Sequence, residues 1–250
     1  SAASDVYKRQ FQMQLGFIGL GTMGRPMALN LMGGGHGMSV YARRPASMQT
    51  LVDDGATACA SPAAVAERSD VVFTMVTGTN DVETVVLGAE GVIDGADAGT
   101  LVIDMSTIDP RAAQTMALAL ADRGVEMLDA PVSGGQHGAI SGDLAAMVGA
   151  DVIAFERAQP ILKCITNSIT HVGPIGSGST IKLLNQLIFV SYQLVFAEGL
   201  TIGEDLGLDL ETMLQVWGAS AAGHPEITMK YDEIRGVSDK AGFGVKNARL

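Results

Sequence analysis

The sequence predicts an α/β protein, with an open, doubly wound parallel sheet followed by an all-helical C-terminal domain. From residue 13 to about residue 173, short apolar runs rich in β-branched residues alternate with helical segments. A glycine-rich turn follows the first of these runs, and no strand pattern is found after Val172. Strand–helix alternation implies right-handed βαβ units, so the runs should align as neighbouring parallel strands.

Seven apolar runs have the length and composition of parallel strands that are buried on both faces. They are Gln14–Ile18, Met38–Tyr41, Val71–Met75, Leu101–Asp104, Glu126–Asp129, Ala145–Val148 and Ile169–Val172. The predicted helices between them include Arg25–Met32, Pro62–Glu67, Thr79–Leu87 and Arg111–Arg123. A long helix over Thr180–Leu206 and helical patterns at Leu210–Trp217 and Ile227–Ile234 complete the chain.

These elements divide the chain into three parts. Residues 1–12 are polar and form an extension outside the fold, residues 13–174 form the sheet domain, and residues 175–250 form the helical domain. Gly176, Gly178 and Ser179 are predicted to make a flexible junction between the two domains. Because the sequence ends inside a helical pattern, we expect further residues or a partner subunit to complete the helical core.

Composition excludes several classes of protein. A net charge of -11 without a basic stripe argues against nucleic-acid binding, and a 47% hydrophobic content argues against disorder. No run of about 18 apolar residues is found, so no membrane span is predicted. The two cysteines, Cys59 and Cys164, do not have the spacing of metal ligands, and the four histidines do not have it either. Two isolated cysteines fit a reducing compartment, so we expect a cytoplasmic protein without bound metal.

A GxGxxG pattern lies between the first predicted strand and the first predicted helix. Gly19 permits the tight turn, Gly21 lets the backbone approach a pyrophosphate, and Gly24 lets the helix pack against the sheet. The pyrophosphate would rest on exposed amides at the start of the helix. The pattern predicts a dinucleotide-binding Rossmann domain. Its predicted cofactor contacts in this loop are Gly19, Leu20, Gly21, Thr22, Met23 and Gly24.

The end of the second strand favours NADP over NAD as the cofactor. An NAD-binding domain usually has an Asp or Glu there, which binds the ribose 2′-hydroxyl. In this sequence the strand is followed by Arg43 and Arg44, whose guanidinium groups suit a 2′-phosphate. NAD stays the alternative if both arginines are only solvated surface residues.

The ends of the third and fourth strands are predicted to contact the nicotinamide half of the cofactor. Met75, Val76 and Thr107 lie at these ends, where open α/β sheets bind their ligands. Thr107 has an alternative role as the N-cap of the helix that begins near Pro110.

Two later segments carry groups suited to a small acidic substrate. The first reads DAPVSGG, and its Ser133 hydroxyl together with the amides of Gly134 and Gly135 can hold a carboxylate. In the second segment, Lys182 lies near the start of the long helix and shares a face with Asn185 and Gln186. The helix dipole and partial desolvation would both disfavour a charged lysine there, which suits a general acid or base.

With these motifs the chain resembles the β-hydroxyacid dehydrogenase family, over about Gln14–Thr201 and with four motifs in the family's order. That family includes 3-hydroxyisobutyrate dehydrogenase, tartronate semialdehyde reductase, glyoxylate and succinic semialdehyde reductases, and 6-phosphogluconate dehydrogenase. The resemblance implies hydride transfer between NADP and a small β-hydroxy acid or its semialdehyde, in a homodimer or homotetramer. It makes Lys182 the catalytic lysine, with Asn185 orienting substrate or lysine and Ser133, Gly134 and Gly135 binding the substrate.

Two positions depart from the family's pattern. Gln186 replaces an Asn that the family often has, but Gln occurs in the tartronate semialdehyde reductase-like branch, and we expect Gln186 to bind substrate. Near the C-terminus the family usually has a Phe followed by Lys-Asp-Leu, whose lysine reaches the cofactor. Here Phe243 is followed by Lys246, which we take as the candidate for that contact.

Two alternative functions stay open at this point. One is a non-catalytic NAD(P)-binding relative, although the Lys182 and Asn185 pair argues against it. The other is an oxidative decarboxylase of the 6-phosphogluconate type, although that branch usually has a much longer chain and a larger helical domain.

Overall fold

The computed structural model describes residues 13–224 and 231–234. The chain divides into two compact units, residues 1–182 and residues 183–250. The predicted N-terminal extension and the predicted cofactor contact Lys246 lie outside the described residues.

The first unit is built on a nine-stranded sheet with the order β3-β2-β1-β4-β5-β6-β8-β7, in which β9 pairs with β8. The strands are β1 (Gln14–Ile18), β2 (Gly37–Tyr41), β3 (Thr57–Ala58), β4 (Val71–Thr74), β5 (Leu101–Asp104), β6 (Glu126–Asp129), β7 (Val132–Ser133), β8 (Leu144–Gly149) and β9 (Thr166–Gly173). All seven predicted strands are present, and the predicted fold class is confirmed. The two-residue strands β3 and β7 were not predicted.

One part of the sheet differs from the prediction of parallel strands. Strands β1 to β6 pair in parallel, but β8 runs antiparallel to both β6 and β7. Val132 in β7 faces Ala146 in β8, and only residues 134–143 separate these two strands. A connection this short is below the dozen or more residues of a parallel crossover, so the chain returns antiparallel.

The described helices are α1 (Gly24–Gly33), α2 (Gln49–Asp53), α3 (Pro62–Ala66), α4 (Thr79–Leu87), α5 (Val92–Gly95), α6 (Pro110–Ala121), α7 (Gly135–Ser141), α8 (Val152–Leu162), α9 (Ser177–Asp205), α10 (Leu210–Gly218) and α11 (Tyr231–Ile234). Helices α1, α3, α4, α6, α9 and α10 were predicted, whereas α2, α5, α7 and α8 were not. Helix α11 is the described part of the pattern predicted at residues 227–234. Gly178 and Ser179, predicted to be a flexible junction, lie instead in the first turn of α9.

Apolar side chains cover both faces of the sheet. Along β4, Val71 and Phe73 belong to one buried cluster, whereas Val72 belongs to a second cluster on the opposite face. The Phe73 ring stacks on Phe17 of the neighbouring strand, with ring centroids 5.9 Å apart. Alternation of this kind places helices over both faces and leaves the carboxyl ends of the parallel strands for a ligand.

The second unit holds a smaller apolar cluster. Phe196 and Leu214 are its buried members, and the Phe196 ring meets Trp217 edge-on with centroids 5.2 Å apart. Helix α9 is the one described helix that is long and apolar enough to cross a membrane, so the expectation that no segment qualifies is wrong by this criterion. One helix of this kind is weak evidence for a membrane span, because core helices of soluble proteins can have the same length and composition.

Candidate active site

The glycine-rich loop joins the carboxyl ends of three strands. Gly19 has a left-handed backbone, with φ of +101°, and its amide donates a hydrogen bond to the Tyr41 carbonyl oxygen at 3.0 Å. A Cβ at this position would overlap the Met75 carbonyl oxygen at the end of β4. Gly24, the first residue of α1, is tightly enclosed too, because a Cβ there would overlap the Gly19 carbonyl oxygen. Protein packing therefore accounts for both glycines.

Gly21 has a different environment. It is exposed, and a Cβ added to it would meet no heavy atom within 4 Å in the described part of the chain. Helix α1 starts just beyond it, and its first turn, residues 24–27, contains no acidic side chain that would neutralise the positive helix end. The free space and the helix start together fit a pyrophosphate group, as the sequence predicts. Of the other loop residues, Leu20 is buried and Thr22 is exposed.

A cleft of about 410 Å³ opens beside this loop. Its lining is formed by Leu20, Gly21, Thr22, Arg25, Pro26, Leu29, Arg44, Gln136 and Ile140. Two arginines, Arg25 and Arg44, belong to this lining. Arg44 is among the cofactor contacts predicted from the sequence, whereas Arg25 is not, although a basic residue in the first turn of a helix, where the dipole disfavours it, is a signal that the sequence shows.

The second predicted arginine has different surroundings. The Arg43 guanidinium lies 3.2 Å from a carboxylate oxygen of Asp81, and its side chain is 75% exposed. The structure thus assigns Arg44 and Arg25 to the cleft and pairs Arg43 with helix α4.

The strand ends predicted to contact nicotinamide lie beside the loop. Met75 and Val76 are half-buried, and the Val76 amide donates a hydrogen bond to the buried Ser106 hydroxyl at 3.0 Å. Thr107 is half-buried as well. The alternative role of Thr107 as a helix cap is wrong, because Asp109 caps α6 by accepting a hydrogen bond from the Arg111 amide at 2.8 Å.

A buried carboxyl group that was not predicted as a site residue, Asp104, lies at the end of β5. Its Oδ1 accepts hydrogen bonds from the Thr74 hydroxyl at 2.7 Å and from the Ser106 amide at 3.2 Å. Its Oδ2 is buried without a hydrogen-bond partner among the described residues. Burial raises the pKa of Asp104 to about 6, although the hydrogen bond from Thr74 opposes this rise. A charged residue closing an apolar strand was the signal in the sequence.

The predicted substrate segment forms a turn after β7. Ser133 is half-buried at the end of β7, and Gly134 and Gly135 are exposed. Both glycines have left-handed backbones, with φ of +128° and +58°, which a residue with a side chain would adopt only with strain. The segment therefore presents a hydroxyl group and a backbone whose shape depends on glycine.

Lys182 is 7% exposed, an unusual degree of burial for a lysine. Helix α9 begins at Ser177, three residues before its predicted start, so Lys182 lies in the second turn instead of the first. The helix dipole therefore acts on Lys182 less than the sequence predicts, because its effect falls off within the first turn.

Asn185 and Gln186 lie further along α9, within the second unit. Both side chains are half-buried, and the Asn185 amide nitrogen lies 3.5 Å from the Gln186 amide oxygen. The same helix thus carries Lys182, Asn185 and Gln186.

Comparison with family models gives two matches that together cover most of the chain. Residues 14–173 match the NAD binding domain of 6-phosphogluconate dehydrogenase. Residues 176–246 match the NAD-binding domain of NADP-dependent 3-hydroxyisobutyrate dehydrogenase.

Comparison with individual proteins likewise finds dehydrogenases. The chain is 40% identical to 2-(hydroxymethyl)glutarate dehydrogenase from Eubacterium barkeri, over 92% of this chain and 76% of that protein. It is 36% identical to NAD-dependent L-serine dehydrogenase from Pseudomonas aeruginosa, over 91% of this chain and 76% of that protein. Among solved structures, 3-hydroxyisobutyrate dehydrogenase from Mycobacterium tuberculosis, with L-serine, superimposes with a TM-score of 0.76 at 32% identity, covering 85% of this chain and 72% of that one.

Proposed function

The chain belongs to the β-hydroxyacid dehydrogenase family, and we propose that it transfers a hydride between NADP(H) and a small β-hydroxy acid or its semialdehyde. The observation that carries the proposal is the burial of Lys182 on the helix that follows the sheet. A lysine withdrawn from solvent is a common form of catalytic acid or base.

The dinucleotide-binding loop and the cleft beside it support NADP as the cofactor. The open space at Gly21 and the start of α1 would hold the pyrophosphate, and Arg25 and Arg44 would hold the 2′-phosphate. Strand β2 is followed by Ala42 and Arg43 instead of an acidic residue, so no carboxylate there would repel that phosphate. When bound, the nicotinamide accepts or donates the hydride.

Lys182 would move the proton. In the oxidation direction its neutral amine accepts the proton of the substrate hydroxyl, and in the reduction direction its ammonium group returns that proton to the carbonyl oxygen. Asn185 would orient the substrate or the lysine.

The names of the relatives indicate the substrate class. L-serine, 3-hydroxyisobutyrate and 2-(hydroxymethyl)glutarate all carry a hydroxymethyl group on the carbon next to a carboxylate. We take 2-substituted 3-hydroxypropanoates as the class for this chain, and glycerate with its oxidised form, tartronate semialdehyde, falls within it. The Ser133 hydroxyl and the amides of Gly134 and Gly135 would hold the shared carboxylate, whereas Gln186 would contact the variable 2-substituent.

A turnover assay tests the reaction. The absorbance of the reduced nicotinamide is followed with either NADP(H) or NAD(H), over a panel of 2-substituted 3-hydroxypropanoates and their semialdehydes. We expect turnover that falls by about 100-fold or more in Lys182→Met, since general acid–base catalysis contributes about 10²–10⁴-fold. Lys163→Met, at an exposed lysine after α8, is the matched control and should keep full activity. Cofactor binding without turnover by the wild-type chain would instead favour the non-catalytic relative.

Cofactor choice is tested by removing the arginines one at a time. Arg25→Ala and Arg44→Ala should each raise the Kd for NADPH by about 10-fold or more, as expected for a lost charge-assisted hydrogen bond, with little effect on NADH. Arg43→Ala removes the guanidinium that pairs with Asp81 and should have the smaller effect. A larger loss in Arg43→Ala than in Arg44→Ala contradicts the proposed phosphate site.

A further inference from the structure

The carboxylate of Asp129 joins the end of β6 to the start of helix α9. Asp129 is fully buried at the last position of β6. Its Oδ1 accepts a hydrogen bond from the Gly176 amide at 2.7 Å, and its Oδ2 accepts one from the Ser179 amide at 2.5 Å. Gly176 immediately precedes α9, and Ser179 is its third residue. One side chain of the sheet therefore binds two amides at a helix start that is 47 and 50 residues away.

Helix α9 needs a cap that its own sequence does not supply. The first amides of any helix lack partners within the helix, and a side chain at the N-cap position usually accepts from one of them. Here that position is Gly176, which has no side chain and has a left-handed φ of +90°. Asp129 takes over the capping role, and its negative charge also suits the positive end of the helix. Burial raises the pKa of Asp129, and the hydrogen bonds from the Ser179 and Gly176 amides oppose this rise.

Two glycines make room for this contact. Gly149 of β8 pairs with Asp129 of β6, and a Cβ on this glycine would overlap the carboxylate oxygen Oδ1 of Asp129. A Cβ on Gly178 would overlap the Met147 carbonyl oxygen and lie 3.0 Å from Oδ2 of Asp129. The first turn of α9 can therefore lie against the carboxylate only because both positions lack a side chain.

We propose that Asp129 is a positioning residue for Lys182, which follows Ser179 by three residues on the same face of α9. By fixing the first turn of the helix to the end of β6, the carboxylate fixes the backbone from which the lysine extends. This inference rests on the proposed function, because it assigns Asp129 to the proton transfer that Lys182 would perform. A displacement of about 1 Å at a reacting group can lower a rate by about 100-fold, so such a tether would affect catalysis.

Two variants and one control test the tether. Asp129→Asn keeps the shape of the side chain but turns one acceptor into an amino group that faces a backbone amide. Gly178→Ala keeps the carboxylate and instead pushes the first turn away from it. Gly199→Ala, in the same helix, places its Cβ 3.5 Å from Trp217, an ordinary contact, and should behave like the wild type.

Three measurements are made on each variant: kcat, KM and cofactor Kd; hydrogen exchange of the amides at residues 176–180; and the rate at which an amine-reactive reagent labels Lys182. In both test variants we expect kcat to fall by about 10-fold or more, with KM and cofactor Kd within about threefold. Amide exchange and labelling of Lys182 should both become faster, because the helix start is no longer fixed.

The outcomes separate the tether from the proposed function. An inactive wild-type chain contradicts the proposed function, and the exchange and labelling rates then decide on the tether alone. Faster exchange with unchanged kcat and labelling means that Asp129 only stabilises the helix, which overturns the inference. A fall in kcat accompanied by rises of similar size in KM and cofactor Kd also overturns it, because such a pattern indicates general damage to the site.

Discussion

Replacing Asp104 by Asn should change how the stability of the protein depends on pH. A buried carboxyl group is costly to ionise when one of its oxygens has no hydrogen-bond partner among the described residues, and Asp129 on the neighbouring strand adds a repulsive charge. Burial, the larger cause, raises the pKa of Asp104 in the folded state to about 6, above the ordinary value of 3.8. The folded state therefore holds this proton more tightly than the unfolded state does.

The sign and size of the effect follow from that difference. The stability that Asp104 contributes through its proton is complete below about pH 4 and is lost as pH rises through about 6. At 1.36 kcal/mol for each pH unit between the two pKa values, the loss is about 3 kcal/mol in the free energy of unfolding. The asparagine of the variant would have no proton to lose, and its Oδ1 could still accept from Thr74 and Ser106.

Urea unfolding of both chains between pH 4 and pH 8 measures the effect. We expect the variant to be the less stable chain at pH 4 by about 1–3 kcal/mol, because its buried NH2 group has two hydrogens to satisfy where the protonated carboxyl group has one. Its stability relative to the wild type should then rise by about 3 kcal/mol towards pH 8. Asp122→Asn, at an exposed carboxylate after α6, is the control and should stay within about 0.5 kcal/mol of the wild type. A difference between wild type and Asp104→Asn that does not change with pH refutes the reasoning.

Three further changes test the fold around the site. Gly24→Ala should abolish dinucleotide binding and lower the Tm, because its Cβ would overlap the Gly19 carbonyl oxygen. Gly33→Ala lies in the same helix and should do neither, because no described heavy atom lies within 4 Å of its added Cβ. Phe73→Ala should lower the free energy of unfolding by about 3–5 kcal/mol in urea titrations, since the ring is fully buried. Arg157→Ala should cost at most about 1 kcal/mol, because its ion pair with Glu126 is partly exposed. A loss above about 2 kcal/mol for Arg157→Ala, or below about 1 kcal/mol for Phe73→Ala, contradicts these estimates.

The central strands could be predicted from sequence because each is covered on both faces. The predicted bounds of β1, β5 and β6 agree with the structure at every residue. A strand buried on both faces reads as an unbroken apolar run, which is a strong local signal. The antiparallel direction of β8 has no such signal, because it depends on the short return from β7.

The missed helices lack a simple apolar stripe. Helix α8 contains Pro160 and exposes Val152 and Ile153, so its sequence does not show an even helical pattern. Helix α7 contains two glycines, Gly135 and Gly138, which lower the helical propensity of a seven-residue segment. Tertiary contacts decide the conformation in both cases.

The candidate site was predictable where a motif is local and not where its parts are distant in sequence. The glycine-rich loop could be identified because all its residues lie within one turn. Asp129 was visible as the first residue of the DAPVSGG segment, yet its partners Gly176 and Ser179 are distant in the chain. No spacing rule relates a strand end to a helix start so far along the sequence. Arg25 was missed because the motif specifies the positions of the glycines and leaves the next residue of the helix undefined.

The buried polar groups at the strand ends are better explained by function than by stability. Asp104 and Asp129 occupy the last positions of adjacent strands, and both are fully buried. Two apolar residues there would avoid the cost of ionising neighbouring carboxyl groups. Yet Asp104 binds the amide of Ser106, whose hydroxyl holds Val76 beside the cofactor loop, and Asp129 holds the helix of Lys182. If both carboxyl groups are kept for these contacts and not for stability, Asp104→Asn should become more stable relative to the wild type as pH rises, while Asp129→Asn loses turnover.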